Sequence, residues 1–497
     1  MVGCGPVRPS RRARWRALTL VGVHVAIAAH LAHWWLTGTT ITPVEPSEAM
    51  HTLRDGVLNA GFVFFATAIA LTLVVGRFLC GWACHIVALQ DLCSWLLQKA
   101  GLRPKPVRSR LLAWVPAGAA VYMFVWPVVA RMLEGGGAPE LHARFTTSDF
   151  WATFPGPGIA VLTFAVVGFL VVWWLGAKGF CTYGCPYGAI FAAADRFAPG
   201  RIVVDDRCDG CAHCTATCTS NVRVHEEVKR FGMVVDSGCM KCLDCVSVCP
   251  KEALSFGFRA PALQRSARRT WDFSWGEEIA MAVVFAVAYL SLHGAYGNVP
   301  FLLSLGLAVV AASAAIVLWR MRRRPTVAWQ HMVLARTGRA TKAGKVVAAV
   351  AMLYFLAIAH TGAVHFMTWR GHELLAAAQR DPGPGREAKR RASLAWLQRA
   401  DALGVVDDHR VQRDLAQHAS FVGDLAGAEV HLRRLVAAAP RDYDAQDRLA
   451  RVVAAQGPHR LAEAEAILVD LVRRAPHFTT AAETLAAVRA QRARTAR

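Results

Sequence analysis

Eight of the fourteen cysteines in this chain repeat a single spacing. Cys208, Cys211, Cys214 and Cys218 read C-x-x-C-x-x-C-x-x-x-C, and Cys239, Cys242, Cys245 and Cys249 read it again, the second time followed by Pro250. Two-residue gaps let three thiolates converge from one tight loop onto three corners of an iron–sulfur cubane, while the fourth, a turn further on, points toward a second cluster. The spacing therefore predicts two [4Fe–4S] clusters with exchanged ligands. Cys208, Cys211, Cys214 and Cys249 would hold one, and Cys239, Cys242, Cys245 and Cys218 the other. Structural zinc is the competing chemistry, but zinc sites pair two C-x-x-C hooks and have no use for a third close cysteine or an exchanged fourth. Thr219 stands where a proline often follows the fourth cysteine, a departure that touches the turn rather than the ligands.

A second cysteine pattern precedes the first. Gly76-Arg77-Phe78-Leu79-Cys80-Gly81-Trp82-Ala83-Cys84-His85 aligns with Ala177-Lys178-Gly179-Phe180-Cys181-Thr182-Tyr183-Gly184-Cys185-Pro186. Each copy follows an apolar run and carries a basic residue three positions before its first cysteine, which predicts a duplicated two-helix unit. Cys80, Cys84, Cys181 and Cys185 could form a disulfide/dithiol pair, a further metal centre or a docking surface for the cluster module; plain helix-end packing is the fourth reading. Cys84-His85 also resembles a variant attachment site for c-type haem. That chemistry belongs outside the cytoplasmic membrane, whereas the basic flank between Lys99 and Arg110 puts Cys84 inside. Cys93 reads as a free thiol and Cys4 as part of a disordered tail.

The elements that must position these residues are hydrophobic. The chain has 497 residues, 55% of them hydrophobic and 18% charged, with a formal net charge of +21. This excludes disorder and points to a membrane protein, because the charges fall in blocks between long apolar stretches. Runs near 17–36, 57–75, 111–130, 158–175, 279–296, 299–319 and 346–367 are about the length needed to cross a bilayer, ~20 residues. The fifth is the weakest, since Glu277 and Glu278 crowd its start. The first reads as a span rather than a signal peptide, because no small-residue cleavage site follows it and Trp34-Trp35 resemble an interfacial belt. Basic residues collect at alternate ends: Arg8 to Arg16, Lys99 to Arg110, and Arg320 to Lys345. Those ends are expected in the cytoplasm, together with the amino terminus and the cluster module. This topogenic charge accounts for the basic excess without a nucleic-acid partner.

The expected organisation follows. Residues 1–199 form a membrane domain of two duplicated units, 200–260 the two-cluster ferredoxin-like module, 261–369 three further spans, 370–388 a linker, and 389–497 a helical domain. In the last region the spacing of Ala428 and Pro440 recurs at Ala464 and Pro476, which resembles tetratricopeptide repeats. With seven spans that domain lies outside. The fold class is thus mainly α: a polytopic helical membrane protein of about seven spans, with an inserted bacterial ferredoxin-like α+β module and a C-terminal tetratricopeptide-like α-solenoid. His24, His30, His33, His360 and His365 lie on or beside spans, where paired histidines could ligate a b-type haem; hydrogen-bonded interfacial residues are the favoured reading. Glu45 and Glu48, near His33 and His51 in sequence, offer carboxylates that could take protons from a quinol.

Taken together, the Gly-Arg-Phe-Leu-Cys-Gly-Trp-Ala-Cys run, Cys181-Thr-Tyr-Gly-Cys-Pro186 and the eight cluster cysteines resemble membrane polyferredoxins of the NapH/NosR/CcoG type. In that family paired spans end in C-x-x-x-C-P motifs and lead to a two-cluster ferredoxin module. The resemblance covers roughly residues 53–256 and implies membrane electron transfer, either quinol oxidation or delivery of electrons to a reductase, or in one branch reductive work during oxidase assembly. His85 departs from the family's proline. The function expected is relay of electrons between the quinone pool or a cytoplasmic donor and a partner redox complex in the cytoplasmic membrane, docked through the helical tail, by a subunit rather than a stand-alone enzyme. The alternatives are an assembly factor that reduces a metal or thiol for another complex, and a redox sensor.

Overall fold

The computed structural model describes residues 7–150, 156–263, 265, 270–475 and 478–495, so Cys4 and Pro476 lie outside the described residues. Two units emerge from the packing: Met1–Ala286 with Leu305–Ala351, and Val287–Ser304 with Met352–Arg497.

Among the described residues six helices are long and apolar enough to cross a membrane: Arg11–Thr37, Leu112–Leu133, Pro157–Leu175, Trp275–Leu292, Phe301–Arg323 and Lys342–Arg380. The second expected span forms the shorter helix Ala60–Val75, 16 residues long. At ~1.5 Å per residue it reaches about 24 Å, less than a bilayer's hydrocarbon core. Its start is set by Asn59, whose side chain accepts from the Phe62 amide. Val57 and Leu58 are thereby left as a strand, paired with His142 and Ala143. Thr40–Ile41 likewise pairs with Thr146–Thr147. The segments that follow the helix Arg11–Thr37 and the helix Leu112–Leu133 thus meet. The helix Leu112–Leu133 widens to a π turn at Val121–Val125, where Pro127 supplies no amide to the ladder.

The basic ends also share a face. The amide of Arg108 donates to Asp272 (2.7 Å), that of Lys105 to Gln330 (2.6 Å), and that of Arg103 to His331 (3.0 Å). The acids that weakened the fifth apolar run have structural tasks here. Glu278 accepts from the Ser109 hydroxyl at 2.6 Å and the Arg110 amide at 2.8 Å, and Glu277 binds Arg320 at 2.7 Å.

The cysteine-rich module is closed by an antiparallel pair, Gly200–Val204 with Leu254–Phe258, in which Ile202 faces Phe256 and Val204 faces Leu254. Between these strands lie the short helices His213–Thr217 and Asp244–Ser247 and the helix Val224–Phe231. Ile202, Val222, Val224, Val228, Val234 and Leu254 form its small core together with Cys214, Cys239 and Cys245. So small a core needs a further source of cohesion, which bound metal supplies in domains of this size.

In the second unit, the helix Lys342–Arg380 continues well past its apolar part. Residues 370–388, expected as a linker, are therefore helical except for the turn 381–384. The reason is packing: Gly371 lies against Leu397, and the Ser393 hydroxyl donates to the Gly371 carbonyl at 2.9 Å. The helices Gly385–Leu403, His409–Phe421, Leu425–Ala438, Tyr443–Ala455, Leu461–Arg474 and Thr479–Thr495 follow, with consecutive helices in contact. Asp408, Asp424 and Asp442 cap three of them through side-chain bonds to the amides of Arg410, Gly427 and Ala445. Ala428 and Ala464, the small residues of the repeat, are fully buried.

Candidate cluster sites

Each cysteine loop of the module makes the same backbone manoeuvre. Ala212 (φ 62°) and Leu243 (φ 63°) are left-handed, and each stands between the second and third cysteine of its motif, immediately before a short helix. A non-glycine residue there costs about 1–2 kcal/mol. The loop is thereby wrapped around one point, so its three cysteines face inward together. Cys208, Cys211, Cys214 and Cys249 line one cavity, joined by Asp209, His213 and His225. Cys208 is exposed, Cys211 and Cys249 are half-buried, and Cys214 is buried. Burial pushes the Cys214 thiol up to about 11.

The other four cysteines of the module gather more deeply. Cys245 is within electrostatic range of Cys242, Cys239 and Cys218, and Cys218 of Cys239. Burial pushes Cys218 up to about 12 and raises Cys239, Cys242 and Cys245 as well. Metal uptake must therefore displace protons from neutral thiols. Among the described residues no three His, Cys, Asp or Glu side chains stand close enough to share a single ion. Each quartet supplies four sulfurs, the number of ligands a cubane takes.

The deeper loop is seated on the membrane half. The Trp82 indole donates to the Lys241 carbonyl at 3.1 Å, and a Cβ on Gly81 would come within 2.3 Å of the Met240 carbonyl, so only glycine permits this approach. Lys241 donates to Asp195 at 2.7 Å; Arg201 reaches the second oxygen of the same carboxylate at 2.9 Å, and the Arg77 amide donates to it at 3.1 Å. Asp195, Arg201 and Lys241 are all fully buried. On the other flank, Arg16 bridges Asp91 (3.2 Å) and Asp244 (3.1 Å), and the Ser10 hydroxyl donates to Asp244 at 2.7 Å. Asp91, Asp195 and Arg201 were missed from the sequence, since none belongs to a recognisable motif.

The duplicated motifs converge. Cys84 lies within range of Cys181 and Cys80, and Cys185 within range of all three others. The two basic residues that precede the motifs are buried beside them: Arg77 hydrogen-bonds Cys80 and acts on Cys181, on which Lys178 also acts. Burial pushes Cys84 up to about 12 and raises Cys181 and Cys185. A cavity opens between this quartet and the module, lined among others by Arg77, Lys178, Cys181, Ser220, Asn221 and Met240. Cys93 is a buried free thiol directed at the Phe169 carbonyl.

The histidines have local partners. His24 bonds the Leu20 carbonyl, His30 the Ile41 carbonyl, His33 the Thr40 hydroxyl and His360 the Leu403 carbonyl. His365 lies within range of His293. The acidic segment is not confined to its own loop: Glu45 acts on His85, and Ser47 hydrogen-bonds Tyr187, whose ring neighbours Cys185 and Cys84.

A family model described as a 4Fe-4S binding domain matches residues 59–103 and 157–203, the two C-x-x-x-C units rather than the eight-cysteine module. Among curated proteins, the methylamine utilization ferredoxin-type protein MauN of Methylorubrum extorquens is 27% identical over 41% of this chain and 73% of its own length. The ferredoxin-type protein NapH of Escherichia coli is 24% identical over 44% of this chain and 76% of its own. The putative electron transport protein YccM of the same organism is 22% identical over 42% and 58%. No solved structure matches. The apolar helices, the paired cysteine motifs and these likenesses together support an iron–sulfur electron-transfer role for a chain similar to the NapH-type and MauN-type ferredoxin-type proteins.

Proposed function

We propose that the chain is the membrane electron-transfer subunit of a larger redox complex, relaying electrons between the quinone pool or a cytoplasmic donor and that complex. Cys208, Cys211, Cys214 and Cys249 hold one [4Fe–4S] cluster in this reading, and Cys239, Cys242, Cys245 and Cys218 the other; bound there, the clusters supply one-electron transfer. The observation that carries it is the cavity on which Cys249, from the second motif, joins three cysteines of the first. Such an exchange of the fourth ligand has a use only where two clusters are held side by side.

The chain's own residues give the two sites different tasks. The first has an exposed edge at Cys208, accessible to a soluble partner. The second is enclosed and held against the membrane half by Asp195, Lys241, Trp82 and Arg16. That seat fixes the inner site relative to the helices, so little reorganisation is needed when its charge changes. The charge distribution supports a cytoplasmic location for the module in the inner membrane, and the helical tail offers a docking surface for the partner.

The test is anaerobic purification with an iron and sulfide count, followed by EPR on addition of a quinol or a quinone. The reading expects reduction of the clusters by quinol or reoxidation of reduced clusters by quinone. Full loading with no exchange in either direction would overturn the quinone link; an iron-free protein would overturn the whole reading.

A further inference from the structure

We propose that the loop Leu403-Gly404-Val405-Val406 of the helical tail dips into the bilayer that the chain's own helices cross, so that the tail rides on the lipid surface. The proposal is independent of the cluster sites. Three observations, all within the second unit, carry it.

The first is depth. The helix Lys342–Arg380 carries no Asp, Glu, Lys or Arg from Val346 to Trp369. Within that stretch Gly362 lies against Ser291, beside the last residue of the helix Trp275–Leu292; a Cβ on the glycine would meet the Ser291 hydroxyl at 2.6 Å. His360 is half a turn deeper than Gly362, and about 15 Å along the helix from the first charge, Arg370. The helix Gly385–Leu403 runs back down this span. Ser393 meets Gly371, Trp396 meets Phe366 with 6.1 Å between ring centroids, and the Leu403 carbonyl accepts from His360 Nε2 at 3.0 Å. Leu403 therefore stands at a depth where the helix Trp275–Leu292 is still crossing. The residues just after the loop mark the bilayer's edge. Arg410 donates to the carbonyl of Gly294, and Gly297 leaves no room for a Cβ beside the His409 ring, so both pack on the turn between two spans.

The second is what the loop presents. Val405 is 78% exposed, Val406 57% and Leu403 50%. An apolar tip of this kind beside a span is suited to the headgroup and acyl boundary of a bilayer. The acids that flank it are drawn aside onto one cation: Arg434 binds Asp401 at 2.9 Å and Asp407 at 3.1 Å.

The third is the accounting of backbone polar groups. Hydrocarbon offers no water for the last carbonyls of a helix, so each must find a partner in the protein. His360 supplies one to Leu403, and the Gly404 amide donates to the Ala400 carbonyl at 2.9 Å. A second copy or a soluble partner seated on the tip would account for the exposed valines, but not for a histidine placed inside an apolar span to bind this carbonyl.

The experiment places a dansyl-bearing amino acid at Val405 of the full chain, in vesicles of phosphatidylcholine and phosphatidylglycerol. The control carries it at Val422, equally apolar and 72% exposed, at the opposite end of the helix His409–Phe421. Fluorescence is quenched from the lipid by a nitroxide-bearing acyl chain and from water by iodide. Position 405 is expected to be quenched several-fold more by the nitroxide than position 422 and several-fold less by iodide, with emission shifted to the blue. Equal iodide quenching at the two positions would overturn the proposal. Shielding of position 405 from both quenchers would put protein, a second copy or a partner, on the tip and would overturn it too. Both labelled side chains are exposed, so neither label disturbs a packed core. The readout does not involve iron, and its failure would leave the electron-transfer reading standing.

Discussion

Replacing Asp195 by Asn isolates what holds the inner cysteine loop in place. The carboxylate accepts from Lys241 at 2.7 Å and Arg201 at 2.9 Å, with all three side chains fully buried, and takes the Arg77 amide as well. An amide of the same shape keeps the volume but leaves two buried cations with no counter-charge. Breaking a buried pair in this way costs about 3–5 kcal/mol. At roughly 2–4 °C per kcal/mol for a body of this size, the melting midpoint should fall by on the order of 10 °C. Lys241 lies between Cys239 and Cys242, so the loss should first appear as bleaching of cluster absorbance, ahead of loss of helical circular dichroism, on anaerobic heating in detergent. Lys241→Met alone should cost less, because Arg201 still neutralises the acid. The double variant should be less damaged than the sum of the singles, with a coupling of about 1–3 kcal/mol. An Asp195→Asn protein that melts within 1 °C of wild type would refute the account of how the module is seated.

Cys249→Ser should empty the site of Cys208, Cys211 and Cys214 and leave that of Cys239, Cys242 and Cys245 loaded, with Cys218→Ser doing the reverse; EPR of the two variants separates exchanged from unexchanged ligation. Gly81→Ala drives a methyl group into the Met240 carbonyl, 2.3 Å from the ideal Cβ, and should destabilise the seat by about 1–3 kcal/mol, read as easier proteolysis within 239–245. In the helical tail, hydrogen bonds from Arg460, reinforced by Gln456 and Arg433, hold Glu429 down at about 2 against an ordinary 4.5. Its contribution is therefore complete above pH 4.5 and is lost as pH falls through 2. Pepsin cleavage of the intact protein within 425–474 should rise across that window, and Glu429→Gln should flatten the rise.

The cysteine pattern was legible because its spacing is local: three cysteines of each motif lie within one loop, and the repeat of that spacing could announce them. Apolar length likewise marked the helices, while Asn59 moved the start of the helix Ala60–Val75 for a reason local to its cap. What the sequence did not disclose is long-range pairing. Asp195 sits in an unremarkable Ala-Ala-Asp-Arg stretch, and only the fold reveals that Arg201 and Lys241 point at it. The basic residues before the duplicated cysteines were visible as a coincidence of two copies, but their burial against four gathered thiols needed both helix pairs folded together. Gly371 was hidden for a similar reason: the region after the last apolar stretch reads as polar and linker-like, and the packing on Leu397 keeps it helical.

The contact between Ser10 and Asp244 joins residues 234 positions apart. During synthesis the first helix is threaded into the bilayer long before Asp244 leaves the ribosome, so its amino-terminal end must wait, unlatched, while the chain between is made. Arg16 has the same wait for one of its two acids. Closure of this clasp is thus a late event in biogenesis, and a bulky fusion placed at the amino terminus would fall on the latch that completes maturation.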